Sequence, residues 1–145
     1  MGIEKDIQQT NFRNEHQKLG INIMYTANWL NEKIAGILSQ EDITQQQYNI
    51  LRILRGADKP LSTLQIRARM LDKMSDTSRI VDRLVAKELV EKNTCPTDKR
   101  LVDVVLSKKG FVILEKLDQL NHHLDALMKG ISEKDAITMN QLLDQ

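Results

Sequence analysis

Apolar residues recur every three or four positions along the first third of the chain, at Leu19, Ile23, Ala27, Leu30, Ile34 and Ile37. That rhythm predicts a long amphipathic helix from about Arg13 to Ser39, after a polar, frayed segment over residues 1–12. A second helix carries Tyr48, Leu51, Ile53 and Leu54 and stops near Gly56; Thr44 is its N-cap, with Gln47 in the capping-box position. Ala57-Asp58-Lys59-Pro60 is a turn and Leu61 a short strand. Ser62 or Thr63 then caps a helix carrying Leu64, Ile66 and Met70. Leu71-Asp72-Lys73-Met74 leads to Ser75, the predicted N-cap of a helix running to about Glu88, with Asp76 in its first turn. Leu89-Val90-Glu91-Lys92 begins a strand, Cys95-Pro96-Thr97-Asp98-Lys99 supplies turn chemistry, and Leu101 to Leu106 returns. Ser107 caps a last long helix whose Ile113, Leu117, Leu120, Leu124 and Leu127 form a heptad-like seam, ended by Gly130. A short terminal helix starts at Ser132 and ends in Leu142-Leu143.

The stretch from Leu61 to Leu106 thus reads helix, turn, helix, hairpin. The second of these helices has an apolar side made by Thr77, Ile80, Val81, Leu84 and Val85, and an outer side carrying Asp76, Ser78, Arg79 and Arg83. A short helix that is polar and basic outside, followed by a hairpin tipped by Asp98-Lys99-Arg100, can reach two grooves of DNA at once. Charge is distributed accordingly. Residues 59–100 sum to +4, while residues 1–58 sum to −1 and residues 101–145 to −2, within a net charge of +1. Positive charge collects where phosphate contact requires it, although a segment of this charge also suits an ordinary solvated face.

The chain has 145 residues, enough for one domain with an attached oligomerisation element. With two Phe, two Tyr and one Trp, its core must be built mainly from Leu, Ile, Val and Met. No apolar run is long enough to span a membrane, and the N-terminus lacks a signal-peptide apolar stretch. Asp6 stands where a myristoylation motif needs Ser or Thr. The single Cys95 excludes an intramolecular disulfide framework. These features predict a soluble cytoplasmic protein. No glycine-rich phosphate loop, nucleophile elbow or paired metal motif is present, so no enzymatic role is expected.

The segment from Ile43 to Gly110 resembles the multiple-antibiotic-resistance regulator (MarR) family of winged-helix transcription factors. The matching pieces are Thr44 to Tyr48 and Leu51 to Leu54, then Ser75 with Arg79 to Leu84, Leu89-Val90, Asp98-Lys99-Arg100, and Leu106 to Gly110. The resemblance implies a mainly α fold with a small β-hairpin wing: a winged helix-turn-helix over residues 41–107, an N-terminal dimerisation helix over 1–40 and C-terminal dimerisation helices over 108–145. It departs from the family at Glu88, where Gly is usual, and at Arg67, where Ala is usual. Glu88 requires either ordinary backbone angles or a tolerated strain. Arg67 either alters the packing of its helix or points outward to phosphate.

The resemblance further implies a homodimer, and the apolar stripes at both ends of the chain independently exceed what one small winged domain can cover. A two-fold dimer presents recognition helices about 34 Å apart, matching half-sites one duplex turn apart, so a pseudo-palindromic operator is expected. Ser75, Ser78 and Arg79 are candidates for the groove, Arg79 by bidentate contact to guanine. Asp76 either accepts from a cytosine amino group or serves the helix dipole. Lys73 and Arg83 suit phosphate. In the wing, Arg100 suits a narrow A·T-rich minor groove beside Lys99, and Asp98 either holds that arginine or forms an Asx-type turn. The functional reading is a homodimeric repressor released by a small-molecule effector. Two alternatives stay open: a winged-helix protein-interaction module without DNA binding, and a redox-sensing regulator acting through Cys95, whose thiol Lys92 and Lys99 would activate if they approach it.

Met24, Tyr25, Trp29 and Tyr48 fall on the first two helices. Their spacing fits core and dimer packing; the resemblance implies an effector crevice in the same region. His16, His122 and His123 invite a metal reading, but adjacent helical positions diverge by about 100°, and no completing ligand set exists. Neither a cofactor nor a metal is expected.

Overall fold

The computed structural model describes residues 2–94, 98 and 102–145 of the chain. Helix α1 (Ile3–Asp6) is a single turn, and α2 (Glu15–Leu38) is the long helix that the apolar repeat predicts. Asn14 starts α2 by accepting the Gln17 amide at 2.9 Å. The segment before it is not frayed: Ile3 is buried, and Lys18 on α2 pairs with Glu4. A 3-10 turn over Ser39–Glu41 follows, and Asp42 then takes a left-handed conformation with φ 54°. The short side chain of aspartate tolerates that geometry better than most.

The winged domain comes next. Helix α3 (Gln45–Gly56) opens with a capping box in which Thr44 and Gln47 satisfy each other's backbone amides. Strand β1 (Leu61–Ser62) leads into α4 (Thr63–Arg69), whose cap is Ser62, with Gln65 completing a second box. Helix α5 (Thr77–Ala86) is followed by β2 (Val90–Thr94), β3 (Val102–Leu106) and α6 (Lys108–Asp118). The three strands form an antiparallel sheet in the order β1-β3-β2, with Leu61 opposite Val104 and Val90 opposite Leu106.

Ile50, Leu51, Leu61, Ile66, Met70, Val81, Leu84, Val104 and Leu114 are almost fully shielded and make one aliphatic core between α3, α4, α5, the sheet and α6. Each such side chain contributes about 1.5–3 kcal/mol through removal of apolar area from water. Leu64, named with Ile66 and Met70 on this helix, faces out at 75% exposure while the other two are buried. Arg67 also points outward, and the packing of α4 is undisturbed beneath it, with Ile66 and Met70 both buried.

The C-terminal segment departs from one expectation. The seam from Ile113 to Leu127 does not lie on one continuous helix but is divided between α6 and α7 (Asn121–Ala126). The Gln119 and Leu120 amides turn back to Lys116 and Leu117, three residues earlier, and tighten the backbone out of α geometry. Ile113, Leu117 and Leu120 then pack on the chain's own core rather than forming a free seam. Helix α8 (Glu133–Leu143), capped by Ser132, presents Ile137, Met139, Leu142 and Leu143 to the outside.

Candidate nucleic-acid interface

Helix α5 is strongly two-sided. Thr77, Ile80, Val81 and Leu84 are buried; Ser78, Arg79, Asp82 and Arg83 are exposed. Burial of the aliphatic stripe therefore forces the polar residues outward. Among the described residues, Arg79 and Arg83 join no ion pair, while Asp82 on the same face is paired with Lys92 on β2. That pairing offsets the Asp82 charge on the face that carries the two arginines.

The start of α5 corrects the expected cap. Asp76, not Ser75, is the N-cap, and its carboxylate accepts the Arg79 amide at 3.2 Å. Ser75 is turned inward, with 8% of its surface exposed, and its hydroxyl donates to the Asp72 carbonyl at 2.8 Å. The reason is the turn itself. Asp72 accepts the Met74 amide at 3.0 Å and the Gln46 side-chain amide at 3.0 Å, while the Leu71 amide donates to Asn49 at 2.9 Å. Two side chains of α3 thus brace the turn that sets the angle of α5. Lys73 reaches back across it, its ammonium 2.6 Å from the Ala68 carbonyl.

The far end of α5 is equally fixed. The Leu89 amide donates to Leu84 and the Glu88 amide to Val85, at 3.0 and 2.9 Å, which together form a Schellman ending. Glu88 occupies its left-handed position with φ 61°, so of the two options open at this residue the strained one is realised. The Ser107 hydroxyl closes on the Glu88 carbonyl at 2.6 Å and ties the helix end to the start of α6. Lys87 donates to the Asp42 carbonyl and, at 3.2 Å, to the Gln47 side chain, with the Asp42 carboxylate 3.4 Å away.

The wing is carried by β2 and β3, paired from Val90–Leu106 to Thr94–Val102. Asp98 is half-buried. Cys95, Lys99 and Arg100 lie outside the described residues. Between α4 and α5 a cleft of about 460 Å³ opens on the same side as Ser78, lined by Thr63, Leu64, Arg67, Met74 and the residues from Ser75 to Ser78. Leu64 and Met74 are not among the candidates that the sequence supplies for this surface, whereas Arg67 is, as a residue able to point outward to phosphate. The available signal was phase: Leu64 lies two positions from Ile66 and so on another face of the same helix.

The residues named for an effector crevice are not brought together. Met24, Tyr25 and Trp29 are exposed along α2, whereas Tyr48 is buried beneath Arg52, whose guanidinium lies 5.6 Å from the ring centroid. A cleft of about 490 Å³ beside α2 is lined instead by Asn31, Gln45, Gln46, Asn49, Met70, Leu71 and Asp72. His122 and His123, expected to diverge, have ring centroids 3.9 Å apart, and His122 Nδ1 lies 2.8 Å from the Gln119 carbonyl. Among the described residues no three His, Cys, Asp or Glu side chains are grouped as metal ligands would be.

The chain is 32% identical over 109 residues to the multiple antibiotic resistance protein MarR of Escherichia coli K12, covering 73% of this chain and 74% of that protein. It belongs to the MarR family. The family model, described as MarR family, matches residues 41–101, from the junction after α2 into the wing. The fold agrees: a crystal structure of an E. coli MarR mutant complexed with operator DNA superposes with a TM-score of 0.81 at 28% identity, over 93% of this chain and 97% of that one. The apo form of the wild-type E. coli protein gives 0.69 at 29% identity, over 87% and 94%. This chain is thus a MarR-type transcriptional regulator by family and by fold. No helix among the described residues is long and apolar enough to cross a membrane.

Proposed function

We propose that this MarR-family regulator is a homodimeric, cytoplasmic repressor that binds a pseudo-palindromic operator and is released from it by a small-molecule effector. The observation that carries the reading is the face of α5. Its arginines are exposed, Asp82 on the same face is paired with Lys92, Asp76 is engaged as the N-cap, and both ends of the helix are anchored to the rest of the domain. Ser78 and Arg79 read base edges in the major groove; Arg83 and Lys73 hold phosphates. Asp76 acts through the cap it makes, and Ser75 through the turn it closes. Lys99 and Arg100 extend the contact to the minor groove, with Asp98 steadying the wing.

Residues 41–107 form the DNA-binding unit, and residues 1–40 and 108–145 the dimerisation elements. Support comes from the apolar side chains left outside on α2, α6 and α8, including Leu19, Ile23, Phe111, Val112, Leu142 and Leu143. One protomer gives these no cover; a second copy would. The operator complex of the E. coli relative supports the DNA reading. The chain acts by binding, with no catalytic role. An effector that prefers a dimer with wrongly spaced reading helices needs a coupling of only about 1–3 kcal/mol for a 5–150-fold loss of affinity.

The decisive experiment is selection of bound sequences from a random duplex pool with the purified protein, followed by titration into duplexes holding one or two copies of the selected half-site. A two-fold symmetric motif, with markedly weaker binding to the single half-site, is expected. A stable dimer that enriches no motif at low salt overturns the reading in favour of a protein-interaction module.

A further inference from the structure

Two of the most exposed large apolar side chains among the described residues stand beside the reading helix. Met74 is 93% exposed and Leu64 is 75% exposed, and both line the cleft between α4 and α5 together with Thr63, Arg67 and Ser78. Neither position is left outside for want of room to be polar: Met74 sits in a turn otherwise held by hydrogen bonds, and Leu64 on a helix face shared with exposed Arg67. A large apolar side chain held in water by a braced backbone gains most when a partner covers it.

We propose that Met74 and Leu64 are specificity-determining residues that pack against the 5-methyl groups of thymines in the major groove. The proposal rests on the DNA-binding reading above and adds which base edge these residues recognise. The methyl group is the one apolar feature that a base pair presents in that groove, and it distinguishes thymine from cytosine by shape rather than by hydrogen bonding. Met74 lies two residues before the Asp76 cap, at the N-terminal entrance of α5, the end of a recognition helix that meets base edges. Arg67 lines the same cleft, and Lys73 and Arg79 are exposed on the neighbouring turn and helix, a local excess of positive charge that favours a polyanion bearing a methyl group over a neutral partner. Leu71, exposed at 84%, is not part of this patch, because it lines the separate cleft beside α2. Methionine suits the role: an unbranched, polarizable side chain adapts to a methyl whose position shifts with local duplex geometry.

Uracil lacks only that methyl, so it isolates the contact. In the selected operator, each thymine is replaced in turn by uracil on both strands, and Kd is measured for the wild-type dimer and for Met74→Ala and Leu64→Ala. Both side chains are exposed, so the variants fold as the wild type does, which circular dichroism checks. At least one thymine in each half-site is expected to lose about fourfold in affinity on conversion to uracil, the equivalent of one uncovered methyl-sized group. The same replacement should cost the Met74→Ala or Leu64→Ala variant nothing. A tight operator complex indifferent to uracil at every position overturns the inference and leaves DNA binding standing, as does an equal loss in wild type and both variants. Failure of the wild type to select any operator overturns both.

Discussion

The Arg55 guanidinium grips the Asp118 carboxylate as a fork, with Nη1 donating to Oδ2 at 2.7 Å and Nη2 to Oδ1 at 3.1 Å. The pair joins α3 to the last residue of α6, and the hydrogen bonds to Asp118 hold the Arg55 charge even more firmly than usual. Parallel bonds of this kind are stronger and more directional than single ones. About a third of each side chain remains exposed, so solvent screens the attraction. Arg55→Ala is expected to cost about 1 kcal/mol in urea unfolding, and a double-mutant cycle with Asp118→Asn should give a coupling of about 0.5–1 kcal/mol. A coupling of zero would mean that the two helices are held by their apolar contacts alone.

Glu88 offers a stabilising change. Its φ of 61° carries the steric cost of a side chain in the left-handed region, and glycine removes it. Glu88→Gly should raise stability by about 1 kcal/mol, visible as a higher urea midpoint. The ion pair lost with Lys109 is exposed and long, at 3.4 Å, so it offsets little. Glu88→Ala keeps the strain and serves as the control; equal midpoints for the two variants would remove the backbone explanation.

Gly110 predicts the opposite response. A Cβ there would fall 2.2 Å from the Leu89 carbonyl oxygen, a backbone atom itself bonded to the Ser107 amide. Gly110→Ala must push α6 away from the sheet and is expected to cost roughly 3 kcal/mol or more. Gly56, near whose position nothing lies within 4 Å, should instead accept alanine with a gain of up to about 1 kcal/mol. Thermal denaturation of the two variants side by side tests the contrast; a tolerated Gly110→Ala would show that the strand–helix junction is slack.

The two arginines of α5 should separate by kind of effect. Arg79→Ala is expected to relax discrimination at one base pair by about 1–3 kcal/mol. Arg83→Ala should weaken all duplexes alike and lower the slope of log K against log salt by about 1. Binding isotherms over a salt series, on operator and scrambled duplex, distinguish them. If both variants lost affinity uniformly, Arg79 would be a phosphate contact.

Much of this fold could be read from periodicity and caps. Thr44 with Gln47, Ser62, Ser107 and Ser132 all start helices as their chemistry predicts, because each satisfies amides within three residues of itself. The errors arose where a distant partner decides the outcome. Ser75 and Asp76 are both good caps locally; Ser75 is drawn inward by a turn that Gln46 and Asn49 brace from another helix. The break between α6 and α7 follows from packing of Leu117 and Leu120 on the core, which a heptad count along one strip of sequence cannot register. The candidate interface was half legible. Charged residues on α5 announced themselves, whereas nothing in the sequence marked Leu64, named on a helix with Ile66 and Met70, or Met74, placed in a turn, as part of this surface; their exposure does.

Lys87 links the C-terminal end of α5 to the junction between α2 and α3. It belongs to the last turn of the reading helix, yet its ammonium is fastened to Asp42, the left-handed joint where the long α2 passes into the winged domain. One side chain thus spans from the end of α5 to the joint after α2, with Gln47 of α3 held in the same contact. Under the proposed function, a molecule bound beside α2 would find in this tether a route to the helix that faces DNA.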